Sequence, residues 1–185
     1  MFIQTEATPN PATLKFLPGR PVLENGTLDM PTRAAAAQSP LALRLFDIPH
    51  VAGVFYGADF IAVTKAGGEW PQIKPAVLAA IMEHYMSGEP LLATGVDATS
   101  ASEEFYDEKD SATVAAIKEL IETRVRPAVA GDGGDIIFKG YKEGVVYLHM
   151  RGACSGCPSS TATLRHGIQN LLHHFVPDVV EVRPV

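Results

Sequence analysis

The sequence predicts an α+β protein made of two small domains. Two regions with clear hydrophobic patterns flank one polar, acidic stretch at residues 93–110. The patterns give the element order ββαββα to residues 1–92 and αββαβ to residues 111–185. A chain of 185 residues, 46% of them hydrophobic, is long enough for two modest cores. We therefore expect an N-terminal domain, an acidic flexible linker and a C-terminal domain that carries a C-x-x-C loop.

The first domain opens on a predicted β-hairpin. Residues 2–7 alternate between apolar and polar side chains, as a half-buried strand does. The motif Thr8-Pro9-Asn10-Pro11 cannot continue that strand because proline lacks a backbone N–H, and residues 13–17 resume it. The next stretch, residues 18–32, is rich in proline and glycine and predicts a loop.

A second hairpin and two helices complete the first domain. A short helix is expected to begin at Ser39-Pro40 and to run through Phe46. Residues 51–56 and 59–65 are rich in β-formers and are joined by Gly57-Ala58, which favours a hairpin. A longer helix is expected from about Lys74, with Pro75 at its first position and Ser87-Gly88 at its end. Its predicted apolar face consists of Val77, Leu78, Ile81, Met82 and Tyr85.

The second domain begins with a predicted helix capped by Asp110 or Ser111, which Pro127 should stop or kink. Residues 136–141 and 145–150 predict a hairpin around Lys142-Glu143-Gly144. A helix after the cysteine loop and a last strand at residues 179–182 complete the domain. The residues predicted to face inward on the two helices are Val114, Ile117, Ile121, Val125, Leu164, Ile168, Leu171, Leu172 and Phe175.

The net charge of −6 is concentrated in the acidic stretch. Residues 93–110 hold six acids and one base, so they carry −5 of the −6. The rest of the chain is nearly neutral and has no basic stripe, which argues against nucleic-acid binding. The N-terminus has the pattern of neither a signal peptide nor an Arg-rich transit peptide, and the longest strongly apolar run, residues 76–82, is too short to span a membrane. These features predict a cytoplasmic protein with no membrane partner.

The two cysteines of the chain, Cys154 and Cys157, have the C-x-x-C spacing. They lie between a predicted strand and a predicted helix, and Pro158 suits the first helical position, so Cys157 falls at the N-cap. The positive end of the helix dipole and nearby Arg151 are expected to favour the thiolate form. In a reducing compartment, such a pair indicates metal binding or redox chemistry rather than a structural disulfide. Cys154 and Cys157 are therefore the candidate metal and cofactor ligands.

Two thiolates are half of what an all-sulfur metal site needs. A 2Fe-2S cluster, a 4Fe-4S cluster and an all-cysteine zinc site each take four thiolates. A second copy of the same loop across a two-fold axis would complete the ligand set. The residues alone leave three hypotheses open: a shared iron–sulfur cluster, a thiol–disulfide oxidoreductase and a zinc-bridged dimer.

The histidines and one glycine-rich motif give weaker signals. His166, His173 and His174 lack the histidine spacing of zinc sites and are interpreted as surface or interface residues. The motif Gly131-Asp-Gly-Gly-Asp135 follows a helix and lacks the residues of a nucleotide-binding loop, so it predicts a turn with positive φ. We expect Asp132 and Asp135 to cap backbone groups rather than to bind a metal.

Several short motifs mark both halves of the chain: Phe2-Ile-Gln-Thr-Glu-Ala-Thr-Pro-Asn-Pro11, Trp70, Lys74-Pro75, Arg126-Pro127, Asp132-Gly-Gly-Asp135 and Gly152-Ala-Cys-Ser-Gly-Cys-Pro-Ser-Ser160. With these motifs, the chain resembles the NifU-like (Nfu) iron–sulfur cluster scaffold and carrier proteins. Residues 112–185 resemble the C-terminal domain of that family, and residues 1–92 resemble its N-terminal domain.

The resemblance implies that Cys154 and Cys157 of two protomers hold one 4Fe-4S cluster, with 2Fe-2S as the other cluster type to test. It further implies a homodimer when the cluster is loaded, cluster-assembly proteins as donors, and apo-proteins such as lipoyl synthase or aconitase as acceptors. No enzymatic turnover is implied. The N-terminal domain is expected to recognise partners, while the linker raises the effective concentration of the cluster near a bound client.

Overall fold

The computed structural model describes residues 1–93, 103–155 and 158–185. The chain divides into two compact units, Met1–Ser100 and Ala101–Val185, each with one β-sheet and a core of its own. The mixture of helices and strands confirms the predicted α+β class. Across the described parts of the chain, every helix is too short or too polar to cross a membrane.

The first unit is an antiparallel sheet of five strands in the order β1-β2-β5-β4-β3, and the buried residues of its two longer helices join the core of that sheet. The elements are β1 (Gln4–Ala7), β2 (Thr13–Leu17), β3 (Leu28–Met30), α1 (Pro40–Phe46), β4 (Val51–Tyr56), β5 (Ile61–Lys65) and α2 (Trp70–Ser87). Strand β3 lies within the stretch that the sequence predicts as loop. It forms because it pairs with β4, a partner distant in sequence.

The turn between β1 and β2 is held by side-chain hydrogen bonds. Thr8 Oγ1 donates to the carbonyl oxygen of Asn10 (2.8 Å), and Asn10 Oδ1 accepts from the backbone N–H of Ala12 (3.0 Å). The indole N–H of Trp70 donates to the carbonyl oxygen of Pro11 (3.1 Å). This last bond ties the first residue of α2 to the turn.

Helix α2 begins four residues earlier than predicted. It starts at Trp70 with Pro71 in its first turn, so Pro75 lies inside the helix rather than at its first position. Its C-terminal end is as expected, because Gly88 takes the left-handed conformation (φ 72°) that ends a helix. The buried residues are Ile73, Val77, Ile81 and His84, whereas Met82 is 37% exposed. Met82 is therefore not on the core face, and the prediction also missed a buried histidine.

Beside the end of α2, His84 is 1% exposed, and its Nδ1 atom lies 3.9 Å from Glu89 Oε2. Arg44 Nη2 donates to the same Glu89 oxygen at 3.1 Å. Burial lowers the pKa of His84, and the charge of Arg44 adds to that effect while Glu89 opposes it. At neutral pH the folded first unit therefore holds His84 uncharged.

The second unit is a sheet of three strands in the order β6-β7-β8, with helices packed on its core. Strand β6 is antiparallel to β7, and β8 is parallel to β7. The elements are α3 (Ser111–Leu120), a π-helical turn (Ile121–Val125), α4 (Arg126–Gly131), β6 (Gly134–Lys142), β7 (Val145–Gly152), α5 (Pro158–Phe175) and β8 (Glu181–Pro184).

Two details of the second unit differ from expectation. Pro127 does not stop the helix, because the wider π-helical turn before it accommodates a ring that lacks an N–H, and the chain stays helical to Gly131. Phe175 is 48% exposed rather than inward, while Ile168 and Leu172 of the same helix are buried as predicted. All four residues predicted to face inward before Pro127 are buried.

Part of the predicted linker is attached to the second unit. The backbone N–H of Phe105 donates to Lys139 (3.0 Å), and the carbonyl of Phe105 accepts from Tyr141 (2.9 Å). The Phe105 ring lies over Gly140 and 5.1 Å from the ring centroid of Tyr147. Residues 103–110 thus border the sheet at β6, an attachment that their acidic composition did not indicate.

A buried ion pair joins α4 to the start of β6. The Arg126 guanidinium donates to both carboxylate oxygens of Asp135, at 2.8 Å from Nε and 2.9 Å from Nη2. Asp135 is 3% exposed, and its Oδ1 also accepts the backbone N–H of Ile136 (2.8 Å). Hydrogen bonds to Asp135 raise the pKa of Arg126, so the guanidinium stays charged. We call this ion pair the Arg126–Asp135 clamp.

Replacing Arg126 with Gln should loosen β6. The change removes the Arg126 hydrogen bonds and charge from the buried Asp135 carboxylate, which we expect to lower the free energy of unfolding of the second unit by about 3 kcal/mol. Hydrogen–deuterium exchange of peptides from residues 134–142 measures this effect. Glu122→Gln is the matched control, because Glu122 makes a solvent-exposed pair with the same arginine and its loss should cost about 0.5 kcal/mol or less. Unchanged protection of β6 in Arg126→Gln would contradict the role given to the clamp.

The stability of the first unit should fall as the pH drops below 7. In the unfolded state, His84 binds a proton near pH 6.5. In the folded unit its pKa is lower, so acid favours the unfolded state. Urea unfolding followed by the fluorescence of Trp70, the single tryptophan, measures the trend. His84→Gln should flatten the pH dependence between pH 7 and 5, whereas His50→Asn, at an exposed histidine, should not. Equal pH profiles for the parent and His84→Gln would refute this explanation.

Candidate metal centre

The cysteine loop begins where two glycine turns meet. Strand β7 ends at Gly152, whose φ of 63° turns the chain, and Gly152 pairs with Gly134 at the start of β6. The backbone N–H of Ala153 then donates to the carbonyl oxygen of Gly133 (3.2 Å). Gly133 itself has a φ of 81°, as the sequence predicts for this turn. The glycines therefore set the position of Cys154.

Cys154 lies inside the second unit. It is 6% exposed and belongs to the same core as Val129, Ile136 and Met150. Its sulfur lies against Gly134, since a Cβ atom added at residue 134 would be 2.4 Å from Cys154 Sγ. Such a distance is far below any real carbon–sulfur contact. The sulfur thus occupies the space that any other residue at position 134 would fill.

The environment of Cys154 favours the neutral thiol. Burial raises the pKa of Cys154 to about 12, and the nearby charges of Asp132 and Asp135 add to the rise. The expectation that the thiolate is favoured is therefore wrong for Cys154 in this position. The prediction included the helix dipole and Arg151, which favour the thiolate. It did not include burial or the two carboxylates that the fold brings near the sulfur.

Short-range hydrogen bonds shape the rest of the loop. The backbone N–H of Ser155 donates to the carbonyl oxygen of Gly152 (3.1 Å), and Ser155 Oγ donates to the same oxygen (2.9 Å). Thr161 Oγ1, in the second turn of α5, donates to the carbonyl oxygen of Cys154 (3.0 Å). Helix α5 begins at Pro158, as predicted. The loop is thus connected on one side to β7 and on the other to α5.

The other predicted ligand, Cys157, lies outside the described residues. His166, His173 and His174 are exposed, and His173 Nδ1 lies 2.8 Å from the carbonyl oxygen of Val179. Over residues 1–93, 103–155 and 158–185, no three His, Cys, Asp or Glu side chains are grouped to hold a metal ion. The histidines therefore remain surface residues, as interpreted from their spacing.

Sequence reasoning missed the contacts that Gly134 and Asp135 make at the site. The Gly-Asp-Gly-Gly-Asp motif indicated a turn and backbone capping, and Asp135 does accept the N–H of Ile136. Nothing in the pattern indicated that Gly134 would lie against a cysteine twenty residues later, because the pairing of β6 with β7 creates that contact. The two adjacent glycines were the available signal of a close approach.

Both units match known protein families. Residues 3–88 match the family described as scaffold protein Nfu/NifU N terminal, and residues 117–183 match the NifU-like domain. The human protein named NFU1 iron-sulfur cluster scaffold homolog, mitochondrial, is 51% identical over 187 aligned positions, which cover 100% of this chain and 72% of the human one. NifU-like protein 5, mitochondrial, from Arabidopsis thaliana is 51% identical and covers 97% of this chain. This chain spans 66% of the length of that plant protein.

The names of these relatives correct one expectation. The human and Arabidopsis proteins are both named as mitochondrial, which contradicts the cytoplasmic location predicted from the sequence. That prediction rested on the pattern of the first residues, and such a pattern carries no information about where the folded units work.

One solved structure resembles part of the chain. The solution NMR structure of a NifU-like protein from Saccharomyces cerevisiae is 25% identical, covers 51% of this chain and 86% of its own, and has a TM-score of 0.46, too low to carry an argument by itself. The assignment depends instead on the full-length identity to the human protein and on the two family matches in the expected order. The chain belongs to the Nfu/NifU family of iron–sulfur cluster scaffold proteins.

Proposed function

We propose that this chain is a carrier that binds a labile 4Fe-4S cluster between two protomers and transfers it to apo-proteins. Cys154 and Cys157 of each protomer supply the thiolates. The observation that carries the proposal is a chain of the scaffold family whose two cysteines both fall, in the sequence, between the end of β7 and the start of α5. The cluster is cargo rather than a resident cofactor, so the loop has to both accept it and release it.

The number of sulfurs sets the stoichiometry. A cluster held by cysteine alone takes four thiolates, and each chain has two cysteines. Two identical loops related by a two-fold axis supply four ligands in two symmetry-related pairs. The small residues of the loop, Gly152, Ala153 and Ser155 among them, allow two copies to approach closely. A 2Fe-2S cluster satisfies the same count and is the alternative cargo.

The chemistry of Cys154 makes binding conditional. A metal-bound cysteine is a thiolate, so the buried thiol has to lose its proton and reach the loop surface before it ligates iron. Both requirements weaken binding relative to a preformed thiolate site. A weakly held cluster at a two-fold contact is open to the thiolates of an acceptor, which is what a carrier requires.

The first unit contributes partner recognition in this proposal. Its described residues hold no metal-ligand group, and its cysteine count is zero. The acidic stretch around residues 93–110 connects it to residues 111–185, so a client bound to the first unit is kept near the cluster. Cluster-assembly proteins upstream load the site. This role involves no catalytic turnover of its own.

The competing functions make different use of the cysteines. A thiol–disulfide oxidoreductase needs a nucleophilic thiolate, and the burial of Cys154 acts against that form. A zinc-bridged dimer needs the same four sulfurs but takes up zinc in preference to iron and sulfide. Metal analysis after reconstitution separates all three functions.

Anaerobic reconstitution with iron and sulfide should yield a coloured dimer with one four-iron cluster per two chains. Cys154→Ala and Cys157→Ala should each abolish the cluster and leave a colourless monomer, because either change removes two of the four thiolates of the dimer. Light scattering after size-exclusion chromatography, together with iron and sulfide analysis, measures both properties. Ser155→Ala is the matched control, since it alters the same loop without removing sulfur.

Two results would contradict the shared cluster. One is a monomer that holds a full complement of iron and sulfide, and the other is retention of the cluster in either alanine variant. A colourless parent protein that reduces disulfides would instead support the oxidoreductase. Stoichiometric zinc that iron cannot displace would support the zinc-bridged dimer.

The loaded dimer should also transfer its cluster. Mixed with apo-aconitase under anaerobic conditions, it should restore aconitase activity faster than equal amounts of free iron and sulfide in the presence of a chelator. The chelator captures free iron, so only direct transfer escapes it. Equal rates from the loaded dimer and from the free ions would show release into solution rather than transfer.

A further inference from the structure

Gly134 forms a niche for the sulfur of Cys154. The nearest atoms to a Cβ added at residue 134 are Cys154 Sγ at 2.4 Å, the Arg151 carbonyl oxygen at 2.9 Å and the Cys154 backbone nitrogen at 3.0 Å. We call the space bounded by these atoms the Gly134 niche. The sulfur fits there only because glycine has no side chain, and any substitution at residue 134 competes with it for the same volume.

The scaffold side of the niche is rigid. Gly134 is the first residue of β6 and pairs with Gly152 of β7. Its neighbour Asp135 is fixed to α4 by the Arg126–Asp135 clamp, and its other neighbour, Gly133, donates its backbone N–H to the carbonyl oxygen of Ala130 in α4. The Gly134 side of the niche therefore keeps its position when the sulfur moves.

An outward turn of Cys154 starts from the end of β7, where Ser155 donates two hydrogen bonds to the carbonyl oxygen of Gly152. Such a turn breaks the bond from Ala153 to Gly133 and the bond from Thr161 to Cys154. Gly152, with its positive φ and without a side chain, is the residue best able to act as the pivot.

The position of the sulfur conflicts with its proposed task. A sulfur shared with a second protomer has to lie at the surface of the loop, yet Cys154 is 6% exposed. We propose that Gly134 is a positioning residue: its niche holds the Cys154 sulfur inward when no cargo is bound and competes with the cluster for that sulfur. This inference deepens the proposed function, and its second half, the competition, depends on it.

Two consequences follow for a carrier. While in the niche, the Cys154 thiol is shielded from oxidants and from stray metal ions. When an acceptor removes iron, the sulfur has a place within its own fold to return to, which favours release over recapture. The niche thus acts on the lability of the cargo through Cys154, without contacting the cargo itself.

Alkylation of the metal-free, reduced chain tests whether the niche holds the Cys154 sulfur inward. Iodoacetamide is applied at one fixed pH, and mass spectrometry follows the modification of Cys154 over time. In the parent, Cys154 should react at least about tenfold more slowly than in the urea-unfolded chain, because reaction requires local opening. Gly134→Ala should bring the rate close to that of the unfolded chain. Gly131→Ala is the control, since a Cβ there meets nothing within 4 Å in the same turn region.

Iron release from the reconstituted protein tests whether the niche competes with the cluster for the Cys154 sulfur. With the niche filled, Gly134→Ala should release iron to a chelator several-fold more slowly than the parent, while the visible circular dichroism of the cluster stays the same. Gly131→Ala should release iron at the parent rate. Release from Gly134→Ala at the parent rate or faster would overturn the competition, even if the alkylation results hold.

If Gly134→Ala folds poorly, thermal unfolding in two backgrounds still tests the inference. The added methyl group should lower the midpoint of thermal unfolding less in a Cys154→Ala background than in the parent, because the sulfur no longer occupies the niche. Equal destabilisation in both backgrounds would overturn the inference, as would rapid alkylation of Cys154 in the folded parent. The alkylation and unfolding arms use no cluster, so their failure is distinct from a failure to assemble a shared cluster.

Discussion

The geometry of the cysteine-bearing unit depends on one buried ion pair, between Arg126 and Asp135. A carboxylate that is 3% exposed is stable only when its charge and its hydrogen-bonding capacity are matched. Arg126, in the first turn of α4, donates one hydrogen bond to each carboxylate oxygen of Asp135, and the backbone N–H of Ile136 donates a further one. Because Asp135 directly follows Gly134, the pair also fixes the wall against which the Cys154 sulfur lies. A polar contact, rather than the apolar core, thus determines where the site begins.

The loop combines two properties that would weaken metal binding in a permanent metal centre. The sulfur of Cys154 is buried, and its thiol holds its proton strongly, so ligation requires both movement and deprotonation. In the proposed site, each requirement lowers the affinity for iron. In the proposed carrier function, a lower affinity favours release of the cluster. The same features that argue against a nucleophilic thiolate are compatible with temporary ligation.

The first unit shows a different use of buried polar groups. Trp70 and the Thr8–Pro11 turn lock the start of α2 onto the hairpin, while His84 and Glu89 lie at its other end. These contacts place polar atoms at both ends of a helix whose middle packs through Val77 and Ile81. The fold of the first unit therefore depends on contacts at both ends of α2 as well as on its apolar core.

Local chemistry made several features predictable from the sequence. Proline and glycine mark backbone conformations directly, so the start of α5 at Pro158, the end of α2 at Gly88 and the turn at Gly144 follow from single residues. The helical spacing likewise identified buried residues such as Ile117 and Ile121. The number of cysteines by itself showed that one chain holds half of an all-sulfur ligand set.

Tertiary structure decided what depends on contacts between distant segments. The pairing of β3 with β4, the attachment of Phe105 to β6, and the start of α2 at Trp70 each depend on a partner far away in sequence. The same holds for the protonation of Cys154, since burial and two carboxylates outweigh the local effect of a helix end. Side-chain patterns report the backbone within a few residues, whereas burial and electric field sum over the whole surrounding fold.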